Sequence, residues 1–229
     1  MSELIDTTEM YLRTVYELIE EGIPPMRARI AERLHQSGPT VSQTVARMER
    51  DGLLTLAKDR RIVLTDEGQH LAEVVMRKHR LVERLLIDVI GLDWQLVHAE
   101  ACRWEHVVSD EVERRLYGLL EDTSLSPYGN PIPGLEAFGA TDEVPAFRDG
   151  NEPLSDLARQ NGGSRVIIER MSEMVQSDDE LIAELAAAGV RPGLEVILID
   201  GPIMRVGLDS ENTVPLPQWA ADGLFGRLA

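Results

Sequence analysis

At 229 residues the chain is long enough for two or three small domains, but its formal net charge of −17 argues at first sight against a phosphate-backbone partner. Summed by segment the charge reads differently: residues 26–61 come to +4, whereas 1–25, 62–120 and 121–229 come to −5, −4 and −12. One basic stretch in an acidic chain suits a protein that docks a single face on a polyanion. The single cysteine excludes an intrachain disulfide and fits a reducing cytosol. The acidic start is no secretory leader, and no window nears the roughly 20 apolar residues of a membrane span, so a cytoplasmic protein without membrane contact is expected.

Asp6 with Glu9 resembles a capping box, followed by a helical pattern through Tyr11, Leu12, Val15, Leu18 and Ile19 that Gly22 stops. Pro24-Pro25 opens a second helix over Arg27–Leu34. Gln36-Ser37-Gly38 forms a turn, and Pro39 takes the first position of a third helix, Thr40–Arg50, with Val41, Val45 and Met48 on its apolar face. Leu53–Leu56 and Arg61–Leu64 read as strands around a basic tip. This order is a winged helix-turn-helix. A helix over Gly68–Gly91 and another over Trp94–Leu120 follow; as a thin amphipathic layer they are expected to pair across a two-fold axis. Residues 125–140 are proline-rich and expected to be extended, and 141–163 read as a linker. Beyond it, Arg165–Arg170, a helix capped near Ser177 and ending at Gly189, and runs at Leu194–Ile199 and Ile203–Leu208 suggest a small β-barrel.

The third helix places Gln43, Arg47 and Arg50 opposite its apolar face, with Ser37, Pro39, Thr40 and Ser42 at its N-terminal end, where a recognition helix meets base edges. Gln reads adenine bidentately, and Pro or Thr touches thymine methyls. Arg27, Arg29, Arg47, Arg50, Lys58, Arg60 and Arg61 are suited to phosphates. A solvated basic face on an ordinary helical hairpin is the plainer explanation, but turn, wing and isolated positive charge agree on DNA.

A second pattern lies downstream. His79 and Glu83 are four apart, and His98, Cys102, Glu105 and His106 fall at offsets 0, 4, 7 and 8, one stripe of a helix. Imidazole, thiolate and carboxylate together suit a divalent transition metal, and Met10 offers a soft thioether. Lone buried histidines and cysteines are usually inert core residues; six ligand-type side chains at i, i+4 spacings on two adjacent helices are harder to explain that way. Spacing does not give the number of ions.

Thr7 through Thr14, Arg27 through Leu34, Ser37 through Gly52, Met76 through Arg80, Ala101 through His106 and Ser126 through Gly134 resemble the diphtheria toxin repressor and iron-dependent regulator family, closely over residues 1–140 and weakly beyond. The resemblance implies domains at 1–73 (DNA-binding), 74–140 (dimerisation and metal binding) and 164–229 (an SH3-like barrel), mainly α with small β parts. It implies two ions per subunit. An activating site would use Met10, Cys102, Glu105 and His106. An ancillary site would use His79, Glu83 and His98, completed by Glu173 and Gln176 from a Glu-x-x-Gln match. An anion would be held by Arg80, Ser126 and Asn130. Manganese-sensing members carry carboxylates where this chain has Met10 and Cys102, so Fe²⁺ is the implied metal, with Mn²⁺, Co²⁺, Ni²⁺ or Zn²⁺ as substitutes in vitro. The implied partner is palindromic double-stranded operator DNA, bound by one homodimer or two, and the implied function is repression of iron-uptake genes, with no enzymatic activity. Two rivals remain: a winged-helix regulator indifferent to metal, and a non-haem iron enzyme built on His79, Glu83 and His98.

Overall fold

The computed structural model describes residues 7–141, 145–161, 163–201 and 203–229. Helix α1 (Thr7–Glu20) buries Tyr11, Leu12, Val15 and Leu18, and Gly22, at φ +74°, turns the chain away after it. Asp6, one half of the expected capping box, lies outside the described residues. Helix α2 (Arg27–Arg33) is one residue shorter than expected. Helix α3 (Gly38–Arg50) begins two residues early because Ser37 caps it, accepting from the Thr40 amide at 3.3 Å, a bond worth about 1 kcal/mol. Pro39 therefore falls one position later in the first turn, where its missing N–H still costs nothing. Val41, Val45 and Met48 are buried as the periodicity requires. Strands β1 (Leu54–Leu56) and β2 (Ile62–Leu64) pair antiparallel, Thr55 opposite Val63, and carry Arg60 at φ +69° between them.

Helix α4 (Asp66–Arg84) starts at Thr65, whose hydroxyl accepts from the Gly68 amide, and widens into a π-helical turn, Leu85–Ile90, before Gly91 at φ +75° ends it. The helix expected over Trp94–Leu120 is two: α5 (Trp94–Trp104) and α6 (Asp110–Leu119). Ser109 caps α6 and Asp110, Glu111 and Glu113 crowd its first turn, an N-terminal signal that the continuous apolar periodicity concealed. Glu105 consequently caps α5, and His106 lies in the following turn.

Residues 125–140 are not an extended strap. Leu125 bridges Pro131 around a turn that buries Ser126, Tyr128 and Asn130, and Leu135–Phe138 form a 3₁₀ turn. The Tyr128 carbonyl accepts from the Met171 amide at 3.1 Å and Asn130 Nδ2 donates to the Met171 carbonyl at 2.8 Å, so this loop docks on the C-terminal part of the chain. The expected linker also fails in its second half. Strand β3 (Glu152–Pro153) and helix α7 (Leu154–Asn161) occupy it, with Leu154, Leu157 and Ala158 buried. Three apolar residues at i, i+3 and i+4 suffice for two helical turns, but among Gly, Asn and acids they leave little periodic signal.

The rest comprises β4 (Ser164–Met171), α8 (Glu173–Gln176), α9 (Asp179–Ala187), β5 (Glu195–Ile199), β6 (Met204–Gly207), β7 (Thr213–Leu216), α10 (Gln218–Gly223) and β8 (Leu224–Leu228). The strands form one antiparallel sheet in the order β3-β8-β4-β5-β6-β7. Asp178, not Ser177, caps α9, because its carboxylate reaches the Leu181 amide at 2.9 Å while the Ser177 hydroxyl donates to the Glu173 carbonyl. Trp94, Val97 and Ala101 of α5 share one core with Leu154, Ile168, Val196 and Leu224, so the helix that carries His98 and Cys102 is seated directly on the sheet domain.

Candidate metal centre and nucleic-acid interface

Helix α4 presents His79 and Glu83 one turn apart toward α5, which supplies His98. Glu173 arrives on α8, one turn of helix capped by Ser172, so the Glu-x-x-Gln segment is helical. His79 Nε2 lies 2.9 Å from Glu83 Oε1 and 3.5 Å from Glu173 Oε2; His98 Nδ1 lies 3.4 Å from Glu83 Oε1 and 3.3 Å from Glu173 Oε2. Donor atoms of these four buried residues all fall within 4.8 Å of one another. Glu83 Oε2 and Gln176 Oε1 are buried with no hydrogen-bond partner, an arrangement that is costly unless a cation or other partner answers them. This donor set fits a divalent transition metal.

Cys102 stands on the same cluster: its Sγ is 3.5 Å from His98 Nε2, and His79, His98 and Cys102 form a second group within 4.8 Å. Glu105 joins the two ligand groups by way of His79 Nδ1 at 2.6 Å and reaches His106 Nε2 at 3.2 Å. His106 Nδ1 is held by Glu9 Oε2 at 2.6 Å. Met10 lines a cavity of about 500 Å³ with Arg13, His98, Cys102 and Glu173. The structure thus links His79, Glu83, His98 and Glu173 of one expected set with Cys102, Glu105 and His106 of the other, while Met10 lines the adjoining cavity. It turns His106 toward α1, because the helix that was to align it with Cys102 ends at Trp104.

Two buried residues of this centre escaped the ligand pattern. Arg13 Nη1 sits 3.3 Å from Cys102 Sγ and 2.7 Å from Glu105 Oε2, Nη2 sits 3.5 Å from Glu173 Oε2, and Nε donates to Glu17 Oε1 at 2.7 Å. Their signal in the sequence is that Arg13, Thr14 and Glu17 fall at i, i+1 and i+4, a polar stripe beginning one turn after Met10 on a helix whose other face is core.

Electrostatics poise these groups for a cation. Burial alone would push the Cys102 thiol up, yet His98 and Arg13 bring it down to about 6. Burial likewise opposes ionisation of Glu105, but Arg13 and His79 draw it down to about 2. Burial disfavours a charged His98, and Cys102 and Glu83 outweigh it, raising the imidazole to about 10. Glu83 and Glu173 are lowered despite burial, by His79 above all. These shifts favour ionised acids and protonated imidazoles at neutral pH, so a metal ion held by these residues would displace protons.

In the winged domain, Ser37, Pro39, Thr40, Gln43, Arg47 and Arg50 are exposed along α3, Ser42 is half-buried, and Lys58 and Arg60 are exposed on the wing. Arg29 pairs with Glu32 at 2.9 Å and Arg61 with Asp59 at 2.6 Å, exposed pairs that a phosphate can replace at little cost. Arg27 keeps a buried Nε without a partner. Of the three expected anion ligands, Arg80 and Asn130 meet on one carboxylate oxygen: Arg80 Nη2 at 3.1 Å and Asn130 Nδ2 at 3.5 Å both donate to Glu173 Oε1, while Ser126 Oγ accepts from the Tyr128 amide.

A basic recognition helix and wing, joined through α1 to a buried cluster of metal-type donors, define a metal-responsive winged-helix DNA-binding protein. Residues 3–62 match the family model described as the iron dependent repressor N-terminal DNA binding domain, and 65–134 that of the iron dependent repressor metal binding and dimerisation domain. The chain is 58% identical over 221 residues to the iron-dependent repressor IdeR of Mycobacterium tuberculosis, covering 95% of each chain. It is 56% identical over 200 residues to the diphtheria toxin repressor of Corynebacterium diphtheriae, covering 87% of each. A manganese-dependent transcriptional repressor in complex with manganese superposes with a TM-score of 0.78 at 26% identity, over 97% of this chain and all of that one. The chain belongs to the iron-dependent repressor family of DNA-binding transcriptional regulators, which are not enzymes. Val89, Ile90, Leu96 and Val107, all exposed, lie in the segment matched to the dimerisation domain. Among the described residues no helix is long and apolar enough to cross a membrane.

Proposed function

We propose that this protein is an Fe²⁺-activated repressor of iron-uptake genes that acts as a homodimer on palindromic operator DNA. The observation that carries the reading is the buried cluster His79–Glu83–His98–Glu173, with its orphaned carboxylate and amide oxygens, placed against the first helix of a winged helix-turn-helix. Met10, Cys102, Glu105 and His106 would hold the activating ion, and His79, Glu83, His98, Glu173 and Gln176 the ancillary one. Arg80, Ser126 and Asn130 would hold an accompanying anion, displacing the carboxylates that Arg80 now grips. A bound dication supplies positive charge that neutralises the buried acids and ties α1 to α5.

The residues of this chain do the rest. Met10 on α1 and Cys102 on α5 come from the two domains, so an ion held by both residues would fix the tilt of the winged domain on the dimer core. That tilt sets the spacing of two α3 helices against successive major grooves. Gln43 reads base edges and Arg27, Arg47, Arg50 and Arg60 grip phosphates. The soft donors Met10 and Cys102 favour Fe²⁺ over Mn²⁺. Anaerobic retention of a palindromic iron-box operator with Fe²⁺, with Mn²⁺ and with chelator tests the reading: Fe²⁺ should serve at the lowest concentration, and retention undiminished by chelator overturns it.

A further inference from the structure

We propose that Arg13 is a built-in competitor for the metal centre, an internal cation that lies against the acid cluster and must withdraw for the centre to fill. This rests on the metal-sensing reading above and adds a residue that is not itself a ligand. Arg13 is only 9% exposed, and its guanidinium reaches Cys102, both oxygens of Glu105, and Glu173 from one side while Nε holds Glu17. These are the thiolate and carboxylates that offer themselves as metal donors. A guanidinium and a dication cannot both lie against the same three anions, since like charges a few ångströms apart in a buried site repel strongly.

The position of Arg13 also links the centre to the DNA-reading motif. Glu17, bonded to Arg13 at 2.7 Å, lies 3.6 Å from Arg33 Nη1; Arg33 Nη2 is gripped by Glu21 at 2.5 Å. Arg33 is the last residue of α2, the helix before the recognition helix. A continuous chain of buried ion pairs therefore runs Glu105–Arg13–Glu17–Arg33–Glu21, from the donor cluster into the helix-turn-helix. Withdrawal of Arg13 from Glu105 and Cys102 alters its hold on Glu17 and, through it, the seat of α2. Nearby, Tyr11 donates its hydroxyl to Gln36 in the turn of the motif, a neutral bond on the apolar side of the same helix that does not depend on the acid cluster.

Calorimetric titration of the full-length protein with Co²⁺, at one pH, tests the competition. Arg13→Gln should bind Co²⁺ roughly tenfold more tightly or better, and Arg13→Lys, which keeps the charge, should stay near wild type. Failure of the wild type to bind Co²⁺ would sink the metal-sensing reading itself. Wild-type binding with unchanged or weaker binding by a natively folded Arg13→Gln would overturn the Arg13 proposal alone. If Arg13→Gln does not fold, the assigned Arg13 Nε–H resonance of ¹⁵N-labelled wild type decides. The bond to Glu17 should give a shifted, exchange-protected signal in metal-free protein that is lost or moved with stoichiometric Zn²⁺. A signal unmoved by saturating Zn²⁺ would overturn the proposal.

Discussion

Glu105 Oε2 lies 2.6 Å from His79 Nδ1, a contact that ties the end of α5 to the middle of α4 and joins two groups of candidate ligands into one centre. Glu105 also neutralises Arg13, so it holds two buried cations at once. Glu105→Ala should strand both. The expected cost in the metal-free protein is about 3–5 kcal/mol, the usual penalty for removing one partner of a buried ion pair. Urea unfolding in chelator measures it, and a loss under 1 kcal/mol would show the contact to be energetically idle.

Acid should act through the same residue. Glu105 sits near 2 when folded against an ordinary carboxyl near 4.5, so its stabilisation is complete above the unfolded value and vanishes as pH falls toward about 2. Metal-free wild type should therefore lose stability steeply over that window, and Glu105→Gln should show a shallower loss. Parallel pH profiles of the two proteins would contradict the assignment.

Cys102 offers a chemical readout of the electrostatics. With its thiol at about 6, the metal-free protein should be alkylated by iodoacetamide with a midpoint near pH 6 rather than the 8.5 of a free cysteine. Bound Fe²⁺ or Zn²⁺ should protect it. A midpoint above 8, or labelling indifferent to metal, would place the thiol outside the centre.

At the DNA surface the roles should separate. Gln43→Ala should relax preference at one or two base positions, whereas Arg27→Ala should weaken all sequences alike and flatten the salt dependence by about one ion. Binding titrations across salt and mutant operators distinguish them, and exchanged outcomes would swap the base and phosphate assignments.

The docked loop makes a prediction about folding. Gly129 has φ +81°, and a Cβ there would fall 1.9 Å from the Glu169 carbonyl oxygen. Gly129→Ala should loosen the seat of Tyr128 and Asn130 on Met171, lowering stability by about 1–3 kcal/mol or more. An unchanged melting temperature would mean the loop does not hold that seat in solution.

Much of this was legible in the sequence, and the failures have physical causes. The winged domain could be read because Gly22, Ser37-Gly38-Pro39 and Gly52 punctuate strong apolar periodicity. His79, Glu83, His98 and Cys102 could be read because i, i+4 spacing on a helix guarantees a shared face. The break at Glu105 was hidden because apolar spacing continues across it, while Ser109 and three acids, the true signal, look like ordinary surface. Helix α7 was hidden by its brevity. Arg13 leaves no ligand signature because a guanidinium has no lone pair to offer a metal; only the polar stripe Arg13–Thr14–Glu17 betrays a second buried face. The packing of Glu173 beside His79 joins residues 94 positions apart, a pairing that no local pattern encodes.

Linkage gives the most direct test of whether the donor cluster and the recognition helix are one device. Co²⁺ affinity should be measured by anaerobic titration with and without saturating palindromic operator. The account predicts that DNA tightens Co²⁺ binding by about 5- to 150-fold, the same factor by which Co²⁺ tightens DNA binding. Equal Co²⁺ affinities in the presence and absence of DNA would contradict it.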